Sequence, residues 1–395
     1  MDARLAARLL LPVFLAGTAS CSDGSLVIKR TDVTAPAPGE EEPGDEETSP
    51  EDPGVEPDPA AEDTNPPEDP GKDPAKDPAG DPAPEASPTA TVRFVTNQEY
   101  LALLKDRIFK AKTSIRIAHL EFLDGSLTDD VLALLAQAVD RGVDVRVLLD
   151  DNVDENPAAV SKMKAAGIQA RLDGGGRTLH VKLVVLDRAV VFVGSTNFSV
   201  SSLKYNNEAN LLLTDPDVAE AFAGHADSLW ASDSGLKGLT GAAVGGIRLI
   251  GDGQYVERVL PVIAAAKDRI RIVIYQFDTG SAAGGDLAGA LVDAAKSGVD
   301  VKVVLEQSSF ADNVNDDNTQ ARKVLEAGGI QVRRETLDVT THAKLLVADD
   351  TVVVYSGNWA YPGLEKNHEA GAIVGGADVV GEAVAFFDSV WSVGQ

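Results

Sequence analysis

One cysteine stands in 395 residues, and that scarcity excludes much. With only Cys21 available there is no internal disulfide framework and no cysteine-based zinc site. Aromatic residues make up 5% of the chain and do not interleave with Lys/Arg clusters, so a stacking platform for single strands is missing. Outside the first 21 residues, no apolar run is long enough to cross a bilayer. Basic charge is short as well: 35 Lys and Arg face 62 Asp and Glu, a formal −27. The stretch from Asp32 to Pro88 holds 19 of those acids against Lys72 and Lys76, a net of −17. Residues 89–395 hold 29 basic and 41 acidic residues, and 29 − 41 leaves −12. A folded region of that sign repels a polyanion at long range, which disfavours nucleic acid as a partner.

What is present begins with a leader. Arg4 and Arg8 precede the short apolar core of residues 9–16, and the small residues Gly17, Thr18, Ala19 and Ser20 run up to Cys21. This segment is too short for a membrane span and reads as an export signal. A lone cysteine directly after it resembles a bacterial lipoprotein signal, with Thr18 where leucine is usual. The resemblance implies cleavage before Cys21, a lipid on that residue, and an anchor on a membrane surface. Simple secretion is the alternative. Residues 22–91 follow as an acidic, proline-rich linker that cannot bury enough apolar surface to order itself. Charge repulsion and proline spacing make it a disordered, extended stalk.

From residue 92 the sequence is written twice. Residues 113–122 match 268–277, residues 142–149 match 298–305, and residues 166–171 match 328–333. Each copy closes on a helix ending Ser228-Leu229-Trp230 or Ser389-Val390-Trp391. The copies therefore occupy 92–235 and 246–395, joined by a stretch rich in glycine and small residues. Within each, Val/Ile-rich runs alternate with helical patterns such as 129–141 and 286–296, which indicates layered α/β units with a largely buried sheet.

The chemistry-bearing motif is also doubled. His180-Val181-Lys182 leads into an apolar run ending at Asp187, and His342-Ala343-Lys344 into one ending at Asp349. In a strand, residues two apart share a face, so each imidazole stands beside an ammonium. Those groups suit phosphodiester cleavage: a neutral imidazole attacks phosphorus, a protonated one supplies the leaving group's proton, and two lysines neutralise phosphate oxygens. No metal or cofactor is required. One His-x-Lys alone is usually an edge strand with polar ends. Two copies with the same spacing, inside an independent repeat, are not.

His180/Lys182/Asp187 and His342/Lys344/Asp349 resemble the paired HKD motifs of the phospholipase D superfamily, and the resemblance covers residues 92–395. It implies two α/β sandwich repeats packed about a pseudo-twofold axis, with one composite site between them on a monomer. It makes His180 the nucleophile and His342 the general acid and base. It makes Lys182, Lys344, Asn197 and Asn358 the phosphate-holding groups, with Ser195 assisting. Asp187 and Asp349 take structural roles, and Glu208 and Glu369 are the acids that orient the histidines. The second motif, Ser356-Gly357-Asn358, reads one residue shorter than Gly194-Ser195-Thr196-Asn197. Asn358 is expected to stand for Asn197, with the serine contact at that corner in question.

Other histidines have plainer readings: His225 packs on a helix face, His368 points away from the site, and His119 is a candidate lining residue. Gly174-Gly175-Gly176 reads as a flexible turn before His180. The expected activity is hydrolysis of phospholipid headgroup esters. Alternatives are a nuclease of the same superfamily, a transphosphatidylase similar to cardiolipin synthases, and an inactive surface binding protein.

Overall fold

A computed structural model describes residues 18–22, 25–29, 92–232, 235–239 and 246–395. The expected leader up to residue 17 and the acidic proline-rich stretch lie outside the described residues. Strands β1 (Thr18–Ser22) and β2 (Ser25–Lys29) form an antiparallel pair that contains Cys21. Among the described residues no helix is long and apolar enough to cross a membrane.

The first copy contributes strands β3 (Val92–Val95), β4 (Ser114–His119), β5 (Asp144–Leu149), β6 (Gln169–Leu172), β7 (Lys182–Leu186), β8 (Val190–Gly194) and β9 (Asn210–Leu213). Its helices are α1 (Asn97–Lys110), α2 (Ser126–Asp140), α3 (Asn156–Ala165), α4 (Val200–Lys204) and α5 (Pro216–Ala231). The second copy contributes β10 (Arg248–Ile250), β11 (Arg269–Ile274), β12 (Asp300–Leu305), β13 (Gln331–Arg334), β14 (Lys344–Ala348), β15 (Thr351–Tyr355) and β16 (Gly371–Gly375). Its helices are α6 (Tyr255–Ala265), α7 (Ala282–Lys296), α8 (Asp312–Ala327) and α9 (Ala377–Val393), with a π-helical turn at Pro362–Lys366.

Each copy builds one seven-stranded mixed sheet, in the orders β3-β9-β8-β7-β4-β5-β6 and β10-β16-β15-β14-β11-β12-β13. Position by position these are the same order. The β4-β5-β6 and β11-β12-β13 pairings are parallel, as helical crossovers require, and the rest are antiparallel.

Burial on both faces explains the unbroken apolar runs after each His-x-Lys. In β7, Leu183 and Val185 enter a core shared by both copies, whereas Val184 and Leu186 face the helices of their own copy. In β14, Leu345 and Val347 enter the shared core and Leu346 and Ala348 the opposite one. Helices α5 and α9 seal the shared layer through Phe222, Leu229, Phe387 and Val390. Two isolated bridges stitch the copies together: Leu179 pairs with His368, and Thr341 pairs with Asn207. Leu179 and Thr341 each precede a motif histidine, and His368 and Asn207 each precede an acid. That exchange is the signature of a pseudo-twofold axis.

Candidate active site

The two histidines come from corresponding segments just ahead of β7 and β14. Strand hydrogen bonding begins at Lys182 and Lys344, one position beyond each apolar residue that follows the histidine. Each lysine therefore turns back on its own copy, donating from Nζ to the carbonyl of His180 or His342 at 2.6 Å.

Behind each imidazole stands an acid from the other copy. His180 Nδ1 lies 2.8 Å from Glu369 Oε1, and His342 Nδ1 lies 3.2 Å from Glu208 Oε2. Both carboxylates are wholly buried. Burial alone would raise their pKa, but the facing imidazole and the lysines hold each below the usual glutamate range. Ser195 donates to Glu208 at 2.5 Å and its Oγ accepts from the Ala209 amide at 2.9 Å. Ser356 does the same for Glu369 and the Ala370 amide.

That equivalence corrects the expectation for the second motif. The missing residue lies in the hairpin turn between β14 and β15, where Asp349 and Asp350 replace Asp187, Arg188 and Ala189. Ser356 therefore corresponds to Ser195, and its contact with the acid is kept.

Electrostatics favour neutral imidazoles. Desolvation pulls His180 down to about 4, with Glu369 opposing and Lys182 assisting the fall. His342 is also lowered, by burial and then by Lys344. Burial brings Lys182 down to about 8 against the pull of Glu369, Glu121 and Glu208, and holds Lys344 well below the ordinary lysine range as well. Two ammonium groups stripped of water are primed for an anion, since an arriving phosphate restores what burial removed. Asn197 and Asn358 each keep a buried side-chain oxygen, Oδ1, without a hydrogen-bond partner. At Asn358, Nδ2 donates to Gln276 Oε1 at 3.3 Å. Polar atoms left unsatisfied beside four convergent groups mark a ligand-ready surface.

Asp187 and Asp349 lie away from this cluster. Asp187 accepts from the amides of Lys112, Thr113 and Ser114, and Asp349 from those of Lys267, Asp268 and Arg269. His119 is buried, stacks on Phe198 at 4.3 Å and donates from Nε2 to the Thr196 carbonyl at 3.1 Å, so it supports the turn carrying Asn197. His225 is buried in α5 as expected. His368 contacts Asp252 through Nδ1. Glu121 was passed over in the sequence: it is buried near Lys182, and burial raises its carboxyl to about 7 despite that lysine.

A family model described as "Cardiolipin synthase, PLD-like domain" matches twice, over residues 104–230 and 259–391. The chain belongs to the phospholipase D superfamily. Among proteins of this superfamily, a mitochondrial cardiolipin hydrolase of Xenopus tropicalis is 30% identical over 124 residues, 31% of this chain and 57% of the relative. A phospholipase D of Rickettsia prowazekii is 32% identical over 117 residues, 29% of this chain and 55% of that protein. The matched stretch thus spans about half the length of these relatives. The solved phosphatidylserine synthase of Haemophilus influenzae superposes with a TM-score of 0.60 at 13% identity, covering 77% of this chain and 87% of that one. That likeness is one of fold.

Proposed function

We propose that the chain is a phosphodiesterase that hydrolyses phospholipid headgroup esters through a phosphohistidine. The observation that carries it is the crossed pairing of His180 with Glu369 and His342 with Glu208. A carboxylate on Nδ1 fixes each tautomer, so both Nε2 atoms are left for the substrate. His180 Nε2 attacks phosphorus while the ester P–O bond breaks, and the departing alkoxide takes a proton from His342. Water then attacks the phosphorus, His342 removes its proton, and the P–N bond breaks. Lys182 and Lys344 balance the phosphate oxygens, and Asn197 and Asn358 donate hydrogen bonds. Lipid is preferred to nucleic acid because the folded region is acidic overall and because the named relatives act on phospholipid.

The test is to incubate the purified protein with phospholipid vesicles, single-stranded DNA and RNA in parallel, with His180→Asn as control. Release of headgroup by the wild type alone is expected. Rapid cleavage of DNA beside intact vesicles would overturn the lipid reading and leave the chemistry standing. The same reading includes export and a lipid on Cys21, supported by the leader's Arg4, Arg8 and apolar core. Changing Cys21→Ser is expected to move the protein from membranes to the soluble fraction with its turnover intact. Unchanged membrane association would remove the anchor from the account.

A further inference from the structure

In the first copy three carboxylates converge beside the loop that delivers His180. Asp150 follows β5, Asp151 comes next, and Asp173 follows β6; one oxygen from each lies within 4.8 Å of the others. Asp150 and Asp173 are 0% and 5% exposed, while Asp151 reaches solvent. Hydrogen bonds satisfy only part of this set. Asp150 accepts from the amides of Leu179 at 2.6 Å and Asn152 at 2.8 Å, and Asp173 Oδ1 from the amide of Asp151 at 3.0 Å. Asp173 Oδ2 has no partner although the residue is 95% buried, as its 5% exposure states. A buried carboxylate oxygen without a hydrogen-bond partner, close to two other acids, is costly even with the Asp151 and Gly174 amides acting on the same side chain.

The second copy serves as an internal control. Its corresponding residues are Glu306, Gln307 and Glu335, so one acid has become a neutral amide. Both remaining carboxylates are satisfied there. Glu306 accepts from the Thr341 amide at 2.6 Å, and Glu335 Oε2 accepts from Thr341 Oγ1 at 3.0 Å and Asn207 Nδ2 at 3.2 Å. In the first copy, Leu179 stands where Thr341 stands and has no hydroxyl. His368 stands where Asn207 stands, and its Nδ1 is engaged by Asp252. The two donors that settle Glu335 are thus replaced at Asp173, and a third acid is added. The first copy thus carries more negative charge than the second at the place where it has fewer donors.

We propose that Asp150, Asp151 and Asp173 bind a hard divalent cation of the calcium class. All the available ligands are carboxylate oxygens, which suit Ca²⁺ and not a soft metal. The Gly174–Gly176 turn closes over the site: φ is 94° at Gly174 and 57° at Gly175, and a Cβ at Gly175 would meet Asp151 Oδ2 at 2.4 Å. Through the Asp150–Leu179 hydrogen bond, the ion would fix the segment that ends in His180. Its role is to position that segment. The phosphoryl chemistry proceeds on the histidines and lysines without it.

The rival counter-charge is a proton shared among the acids, since burial, then Asp150 and Asp151, push Asp173 up to about 7. The experiment therefore uses full-length protein at pH 8, freed of divalent ions by chelation and titrated with Ca²⁺ by calorimetry and thermal unfolding. Asp151→Asn is the comparison because that side chain is exposed and its loss spares the fold. The acidic stalk gives the same weak background in both proteins. The expected result is one saturable site and a rise in midpoint of about 5 °C in the wild type, both absent in the variant. Identical titrations of the two proteins would overturn the proposal and assign the counter-charge to the proton.

Discussion

On the proposed mechanism the Nδ1 hydrogen of His180 is committed to Glu369, which leaves the Nε2 lone pair for phosphorus; at His342, Glu208 opposes the desolvation that lowers its pKa and so supports the imidazolium that gives its proton away. These roles predict different sensitivities. Replacing Glu369→Gln is expected to slow phosphoenzyme formation about 100-fold or more with every substrate, because the nucleophile's tautomer is lost. Replacing Glu208→Gln should cost as much with an alkyl ester but less than about tenfold in the burst phase with a p-nitrophenyl ester, whose leaving group needs no proton. Rapid quench of both variants with both esters measures this, and the opposite pattern would exchange the two histidines' roles. The His-x-Lys pairs were legible from spacing alone. Which acid faces which histidine was not, because Glu208 and Glu369 sit at nearly equal distances along their own copies and meet the histidines only across the axis. Glu121 escaped notice for a related reason: its burial, and the facing Lys182 61 positions away along the chain, come only with the fold.

The strand hairpins show how a motif residue can be structural. Asp187 and Asp349 sit at φ 53° and 48°, a left-handed turn that aspartate tolerates, and each gathers three backbone N–H groups from the start of the neighbouring strand. Burial alone would raise the Asp187 carboxyl, but the donors from Thr113, Ser114 and Lys112 bring it below the usual range. Removing it as Asp187→Ala is expected to cost about 2 kcal/mol in urea unfolding near neutral pH, since three donors lose a charged acceptor. A folded pKa held below the unfolded one contributes stability that is present above about pH 4 and is lost as the pH falls through the folded value. The deficit of the variant should therefore shrink in acid. A deficit that stays constant from pH 7 to pH 3 would show that the charge is not what holds the turn. Element order, the alternation of buried strands and helices α2 and α7 followed from periodicity. The correspondence of Ser356 with Ser195 did not, because a one-residue difference in a hairpin turn shifts the sequence register while the strands carry both serines to the same place.

One shared core makes the two copies a single folded unit. The faces of β7, β8 and β9 pack with those of β14, β15 and β16 and with α5 and α9, so an isolated copy would leave Leu183, Val185, Leu345 and Val347 without cover. Each of those side chains contributes roughly 1.5–3 kcal/mol by being buried, which is large against the 5–15 kcal/mol net stability of an ordinary domain. Helix α9 reaches across as well, with Glu382 accepting from the Phe94 amide at 2.9 Å on β3 of the first copy. The repeat announced two copies and the resemblance one composite site between them; what the structure adds is the crossing of the acids, His180 with Glu369 and His342 with Glu208. A chain divided between Leu239 and Gly246 is therefore expected to co-purify as one species when both pieces are made together, and to retain turnover within about tenfold of the intact chain, because association replaces the covalent link at a modest entropic cost. Residues 92–239 or 246–395 made alone should be aggregation-prone and without turnover. A soluble first piece that cleaves a phosphodiester by itself would break the composite-site account, because in that piece His180 has no carboxylate behind it and no second imidazole before it.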